Sequence, residues 1–199
     1  MSLPHPLFLT AIDIPDRLCH DGFRKQEEDA MELRLIRPHP GMESEVVRFN
    51  QEWMETGEEI VPSSVNLKGQ NFEAWLLETY LMEKVAPKGY VTAHTYLFVD
   101  KVDRMLGAIN IRHSLNGYLF NYGGHIGYGI RPSERMKGYG DKMLAMGLPL
   151  AKELGLEKVL ITCRKENDAS RRTLQKNGGI LENEVIKDGR TIERYWIAF

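Results

Sequence analysis

Cysteine is scarce in this chain of 199 residues: Cys19 and Cys163 lie far apart and match no metal-ligand spacing. A disulfide framework is excluded, and the pair fits a reduced, cytosolic protein. Long apolar runs are missing as well. No stretch approaches the roughly 18 apolar residues of a membrane span. The early run PLFLTAI is short and lacks the positive flank of a signal peptide, so no membrane association is expected and the chain reads as cytoplasmic. Net charge is low, with 26 Lys and Arg against 28 Asp and Glu. A general nucleic-acid binder is therefore not expected, because such proteins need a basic face to release counterions. No internal repeat or low-complexity tract is visible.

With 42% hydrophobic residues the chain can bury a full core, and its length suits one domain. Residues 1–30 show no sustained periodicity and read as an N-terminal extension upstream of a second potential start at Met31. Residues 31–199 read as a single domain. MELRLIRP alternates like a first strand. Helical spacing follows over Gly41 to Glu59 and Phe72 to Lys84. AHTYLFV and MLGAINIRH form a hairpin, and HIGYGI is a third strand. A helix with Met143, Leu144, Gly147, Leu148, Ala151 and Leu154 on one stripe ends at Gly155, and Pro149 inside it predicts a kink or early stop. KVLITC reads as a buried strand, Asn167 as the cap of a helix to about Lys176, and Asp188-Gly189 as the turn of a final hairpin. The order predicts an α+β (α/β mixed) fold with a central, mostly antiparallel sheet flanked by helices.

Charge is uneven along the chain. Residues 1–60 carry 6 Lys/Arg against 13 Asp/Glu, while residues 131–176 carry 11 against 6. The basic excess surrounds RPSERMKGYGDKML, where Gly138 and Gly140 directly follow a strand and open a helix, flanked by Arg131, Arg135, Lys137 and Lys142. Glycines let backbone N–H groups approach an anion, and a helix N-terminus favours its charge, so a small phosphate-bearing ligand is expected there.

These residues carry a resemblance. RMKGYG resembles the R/Q-x-x-G-x-G/A pyrophosphate loop of the GCN5-related N-acetyltransferases (GNAT), and IGYGIRPSER resembles the strand before it. NDASRRTLQKNGG resembles the family's second cofactor segment, and the whole looks most like a branch with unassigned substrates. The resemblance implies a GNAT-like acyl-CoA N-acyltransferase fold and transfer of an acetyl group from acetyl-CoA to a primary amine in a ternary complex, with no metal. It implies that backbone N–H groups of Met136, Lys137, Gly138, Tyr139, Gly140 and Asp141 hold the pyrophosphate, aided by Arg135. The pantetheine arm would pair along Tyr128, Gly129 and Ile130, with the N–H near Tyr128 serving the thioester oxyanion. Asn167 and Ser170 would contact the cofactor arm, and Arg171 or Arg172 the nucleotide phosphate.

The acceptor implied is a small-molecule or peptide amine, lying against the two early helices, where Glu55, Glu58 and Glu59 offer negative charge. A homodimer stays open. Many relatives carry a tyrosine seven residues after the asparagine to protonate the leaving thiolate; here that position is Leu174. His125 stands near where relatives often have a glutamate base, so the base role and a structural role are both open, and His113, Arg112 and Tyr128 are candidates to line the same pocket. Cys163 reads as core. Two alternatives accompany the enzyme reading: a non-catalytic CoA-binding sensor, and an acyltransferase with a longer acyl donor.

Overall fold

Alternating apolar residues and two helical stripes sort the chain into two sheets and four longer helices. The structure, a computed structural model, describes residues 32–199; the expectations for residues 1–30 and for Cys19 lie outside the described residues. The first sheet is antiparallel in the order β1-β2-β3-β4, with β1 at Arg34–Ile36, β2 at Ala93–Val99, β3 at Met105–Arg112 and β4 at Ile126–Ile130. The second, also antiparallel, has the order β5-β7-β6, with β5 at Lys158–Arg164, β6 at Ile180–Lys187 and β7 at Arg190–Ala198. The expected single sheet is thus divided between β4 and β5.

Helices α1 (Glu43–Thr56) and α2 (Phe72–Met82) cover one face of the first sheet. Val46, Phe49, Trp53, Phe72 and Trp75 pack there on Leu97, Val99, Met105 and Ala108; a register shift at Phe98/Val99 sets Met105 opposite Val99, as Ala108 is opposite Leu97. Helices α3 (Tyr139–Glu153) and α4 (Asp168–Lys176) lie in the other core. Met143, Leu144, Ala151 and Leu174 meet Ile109, Ile111 and Ile126 of the first sheet and Val159, Ile161 and Tyr195 of the second, so one core spans both sheets. The Asn71 side chain caps α2 through the Ala74 N–H at 2.8 Å, and Asn167 caps α4 through the Ser170 N–H at 3.0 Å.

The helix after the glycine motif does not stop at Pro149: α3 continues to Glu153, with Gly155 just beyond at φ 87. Pro149 is exposed, and Met143, Leu144, Gly147 and Ala151 bury the opposite side. That packing outweighs the roughly 3 kcal/mol that an interior proline costs a helix. In the final hairpin Asp188 and Gly189 both take positive φ, 51 and 74, the geometry of a two-residue turn that matches strand twist.

Candidate active site

The parting of the two sheets begins at His125. Its backbone N–H donates to Leu160 O at 2.6 Å, and its Nδ1 accepts the Leu160 N–H at 2.9 Å, so one residue pins the start of β4 to β5. Gly124 beside it has φ 67, and a Cβ there would lie 2.5 Å from Leu160 O, so only glycine permits this approach. Beyond the pin β4 and β5 are in different sheets.

Strand register decides what the opening presents. Arg112 N–H donates to His125 O at 2.8 Å and Arg131 N–H to Leu106 O at 2.9 Å, one at each end of the β3/β4 ladder. Antiparallel alternation then commits Gly127 and Gly129 to β3 and turns the N–H and C=O groups of Ile126, Tyr128 and Ile130 away from it, toward the opening. Tyr128 therefore offers its backbone there. Gly129 does not; its backbone faces β3, and it serves by having no side chain, since a Cβ would meet Val61 O at 2.1 Å.

The opening widens into a cleft of about 920 Å³ whose lining includes Tyr128 to Ile130, Gly138 to Asp141, Asn167, Ser170 and Thr173. At its mouth stands the N-terminus of α3, which has no side-chain cap. Met136 (φ 64) and Gly138 (φ 77) take left-handed conformations in the loop before it. The N-terminus of a helix favours an anion through its dipole and its backbone N–H groups. Thr173 Oγ1 donates to the Asp141 carboxylate at 2.7 Å, and Lys176 reaches it at 2.6 Å, tying α3 to α4. Burial alone would raise the Asp141 carboxyl, but Lys176 and Thr173 hold it below its ordinary value. Asp141 can thus meet an anion only through its backbone.

Three of the four basic residues of the motif, Arg131, Arg135 and Lys137, are already paired. Arg135 donates through both terminal nitrogens to Glu58 at 2.8 Å and lies 4.8 Å over the Trp53 ring. The Arg135 hydrogen bond holds the Glu58 carboxyl below its usual range. Lys137 donates to Glu134 at 2.8 Å. Arg131 is buried against Glu52 and Glu45, with Nη1 on Met105 O at 3.1 Å, so it is a structural anchor between β4 and α1. The acidic early segment thus neutralises Arg131 and Arg135 across the fold, and Glu58 and Glu59 line the cleft itself.

Three expected site residues stand outside the cleft lining, Lys137 among them, turned to Glu134. Arg171 is absent from the cleft lining, because it pairs with Asp168, reaches Glu193 at 3.7 Å and donates to Lys165 O at 3.1 Å; its neighbour Arg172 lines the cleft instead. His125 is absent from the lining as well. Its imidazole is buried, its Nδ1 lone pair is taken by Leu160, and burial with the nearby Arg112 charge pushes its pKa down to about 4. The geometry gives His125 a structural role, and no base is built on it.

Sequence reasoning missed Arg164, Lys176 and Arg190, which add positive charge to the cleft from β5, α4 and β7. The one charge at the end of the buried run KVLITC, Arg164, was the available signal. Leu174 is fully buried in the core. Tyr128 and Tyr139 both line the cleft; the Tyr128 hydroxyl lies 3.1 Å from Ser170 Oγ, and burial pushes its pKa up to about 12. Burial, then Glu193, likewise pushes the Cys163 thiol up to about 12, which suits a core residue.

A second cavity, about 570 Å³, lies on the α1/α2 face between α2, β2, β3 and the connection from β3 to β4. Its inner wall includes Thr95, Asn110 and Arg112; Ser63 and Ser64 line it just past Val61, which lines the cleft. Neither His113 nor His125 lines either cavity. Among the described residues no helix is long and apolar enough to cross a membrane, and no group of three or more His, Cys, Asp or Glu is placed to hold a metal ion.

Comparison with known proteins agrees with this architecture. No curated protein matches the sequence. Among solved structures, a chimera of the spermidine N-acetyltransferase SpeG from Vibrio cholerae and hSSAT is 17% identical, with a TM-score of 0.58 over 83% of this chain and 94% of that one. The microcin C7 self-immunity acetyltransferase MccE, solved with acetyl-CoA and AMP, is also 17% identical, with a TM-score of 0.59 over 84% of this chain and 93% of that one. At these identities the likeness establishes the fold. The family model for the acetyltransferase (GNAT) domain matches residues 24–180, most of the chain, and the protein therefore belongs to the GNAT acetyltransferases.

Proposed function

We propose that the protein transfers the acetyl group of acetyl-CoA to a primary amine by direct attack in a ternary complex. The observation that carries this reading is the unpaired backbone edge of β4 at Tyr128, facing a cleft whose mouth is an uncapped helix N-terminus. MccE, of the same fold, was solved with acetyl-CoA. The residues fit such a donor. N–H groups of residues 138–141 suit a pyrophosphate, and the edge of β4 suits an amide-bearing arm that pairs as an added strand.

Acetyl-CoA supplies an activated thioester when bound. The chain's part is to position it and to polarise it. Tyr128 N–H stabilises the developing oxyanion, the C–N bond forms as the C–S bond breaks, and the amine's proton leaves through water. The thiolate is a good leaving group, so the absence of a phenol at Leu174 does not forbid turnover. Positioning by itself supplies about 7–11 kcal/mol of barrier reduction. The second cavity, on the opposite side of β4 from α3, is the acceptor site in this reading. We place the protein in the cytoplasm, in keeping with its unpaired cysteine and its donor.

The buried Leu174 favours one further reading, a CoA-binding sensor without catalysis. Release of CoA thiol from acetyl-CoA across a set of amine acceptors separates the two. Turnover above background establishes the enzyme; acetyl-CoA binding without turnover on any amine establishes the sensor.

A further inference from the structure

Arg112 stands apart from the other arginines. Among the described residues, every other arginine that is buried or half-buried is ion-paired, whereas Arg112, largely withdrawn from solvent, has no carboxylate within salt-bridge distance. Its Nη1 donates to Gly123 O at 3.0 Å and Gly124 O at 2.9 Å. Those two carbonyls fix the plane of the guanidinium and leave its other edge, Nε and Nη2, without a partner. Neither nitrogen is sealed away from solvent, and the residue lines the second cavity. Burial holds the Arg112 pKa below its ordinary value, a cost that a bound anion would remove.

The free edge is the two-donor fork that matches a carboxylate in plane. Hydroxyls stand in the same cavity. Ser64 Oγ is buried with no partner, and Thr95 Oγ1 accepts from Asn110 Nδ2 at 3.1 Å, which leaves its own proton to donate. The other charged residues of the lining, Lys68 and Glu78, are exposed and opposite in sign. Nearer the guanidinium stand Tyr118 and the neutral His125. The inner charge of the cavity is therefore the positive charge of Arg112.

Position sets the scale of the ligand. Arg112 Nη2 would lie 3.3 Å from a Cβ on Gly127, the residue next to Tyr128. A group held by the fork thus sits one residue from the backbone edge where acetyl transfer is placed. We propose that the acceptor is a small amino acid whose carboxylate is clamped by the Nε/Nη2 edge of Arg112 while its amine reaches the acetyl group. This rests on the N-acetyltransferase reading and names its substrate class. A polyamine, such as the spermidine for which the SpeG enzyme is named, would bring positive charge against Arg112.

The test is acetyl-CoA turnover, read as thiol release, with free L-amino acids, their carboxamides, spermidine and phosphoethanolamine, for the wild type, Arg112→Lys and Arg112→Met. Amino acids should exceed their carboxamides by about tenfold or more in kcat/KM, the scale of a lost charged fork. Arg112→Lys should raise KM for the amino acid about tenfold with KM for acetyl-CoA unchanged, and Arg112→Met should erase the preference. An arginine that only held Gly123 and Gly124 would change stability and leave that preference intact. If neither variant folds, the wild-type preference for acid over carboxamide decides alone. Carboxamides or spermidine used as well as amino acids would overturn the carboxylate clamp and leave the acetyltransferase standing. Preference for phosphoethanolamine would assign the fork to phosphate and equally overturn it. Acetyl-CoA binding with no turnover on any acceptor would overturn both readings.

Discussion

The two cavities beside β4 hold their charges in opposite ways. In the cleft between the sheets the cations are exposed or half-exposed, and two are neutralised by neighbours: Arg135 by Glu58 and Lys176 by Asp141. In the α1/α2-face cavity one guanidinium is withdrawn from water, oriented by two carbonyls and left without a counter-ion. A ligand of the cleft must displace protein carboxylates, but it gains fixed backbone N–H groups at the start of α3. A ligand of the second cavity meets a donor whose desolvation has already been met by folding. The first arrangement suits a large polyanion that makes many contacts, the second a small anion that makes few.

Four substitutions sharpen this contrast, beginning with the largest effect. Gly138→Asp places a carboxylate at the uncapped start of α3, where nothing lies within 4 Å of a Cβ and the left-handed φ of 77 adds a strain of about 1 kcal/mol. Wild-type protein at 100 times the dissociation constant of acetyl-CoA should gain about 2.7 kcal/mol of stability. The variant should show no thermal shift and keep its fold. A shift equal to that of the wild type would remove the helix N-terminus from the site.

Gly129→Ala drives a methyl into Val61 O at 2.1 Å. The Val61 segment, or β4, must move, at about 1–3 kcal/mol by chemical denaturation. Turnover should fall further than stability, since both cavities meet along this segment. Loss of stability with full activity in the folded fraction would separate the segment from the chemistry.

His125→Ala should remove the pin at Leu160. The Leu160 N–H loses its acceptor, at about 1–3 kcal/mol, while kcat of the folded fraction stays the same. The pH dependence follows from the depressed pKa. The unfolded chain takes up a proton near pH 6.5, whereas folded His125 resists until about 4. This contribution is fully present above pH 6.5 and is lost as pH falls from there toward 4. The stability difference between wild type and variant should therefore shrink over that window. A kcat loss of 10²-fold or more, on the scale of about 10²–10⁴ for a general base, would restore His125 as the base.

Glu58→Gln has the smallest expected effect. It releases Arg135 from an exposed pair worth about 0.2–1 kcal/mol and should tighten acetyl-CoA binding about twofold to fivefold at low salt. Weaker binding would show that the pair orders the loop rather than competing with the ligand.

Legibility follows contiguity. The α3 motif can be read because its glycines and the start of the helix it opens lie within fourteen residues, Arg131–Leu144, directly after the strand Ile126–Ile130, and local backbone geometry suffices to place them. The Asn167 cap and the Asp188-Gly189 turn are local in the same sense. Arg171 and Arg172 are not separable in sequence, since helix phase relative to a cleft is set by tertiary packing; Asp168, three residues before Arg171, is the one hint of a local pair. The division of the sheet at His125 depends on a contact across 35 residues, which no local pattern encodes. The second cavity joins β2, β3, α2 and two loops, so its chemistry emerges only on assembly. Asn110 and Arg112 carry a faint signal as polar residues in the phase of buried Ala108. Pro149 misleads because propensity speaks for the isolated helix, without the packing that overrides it.

The central claim is that the β4 edge and the start of α3 form one donor site. Backbone amide hydrogen exchange with and without acetyl-CoA tests it residue by residue. New protection should appear at Tyr128 and over residues 138–141, while Gly127 and Gly129, already bonded to β3, change little. Acetyl-CoA bound with protection confined to other segments, or with Tyr128 left unprotected, would contradict the account.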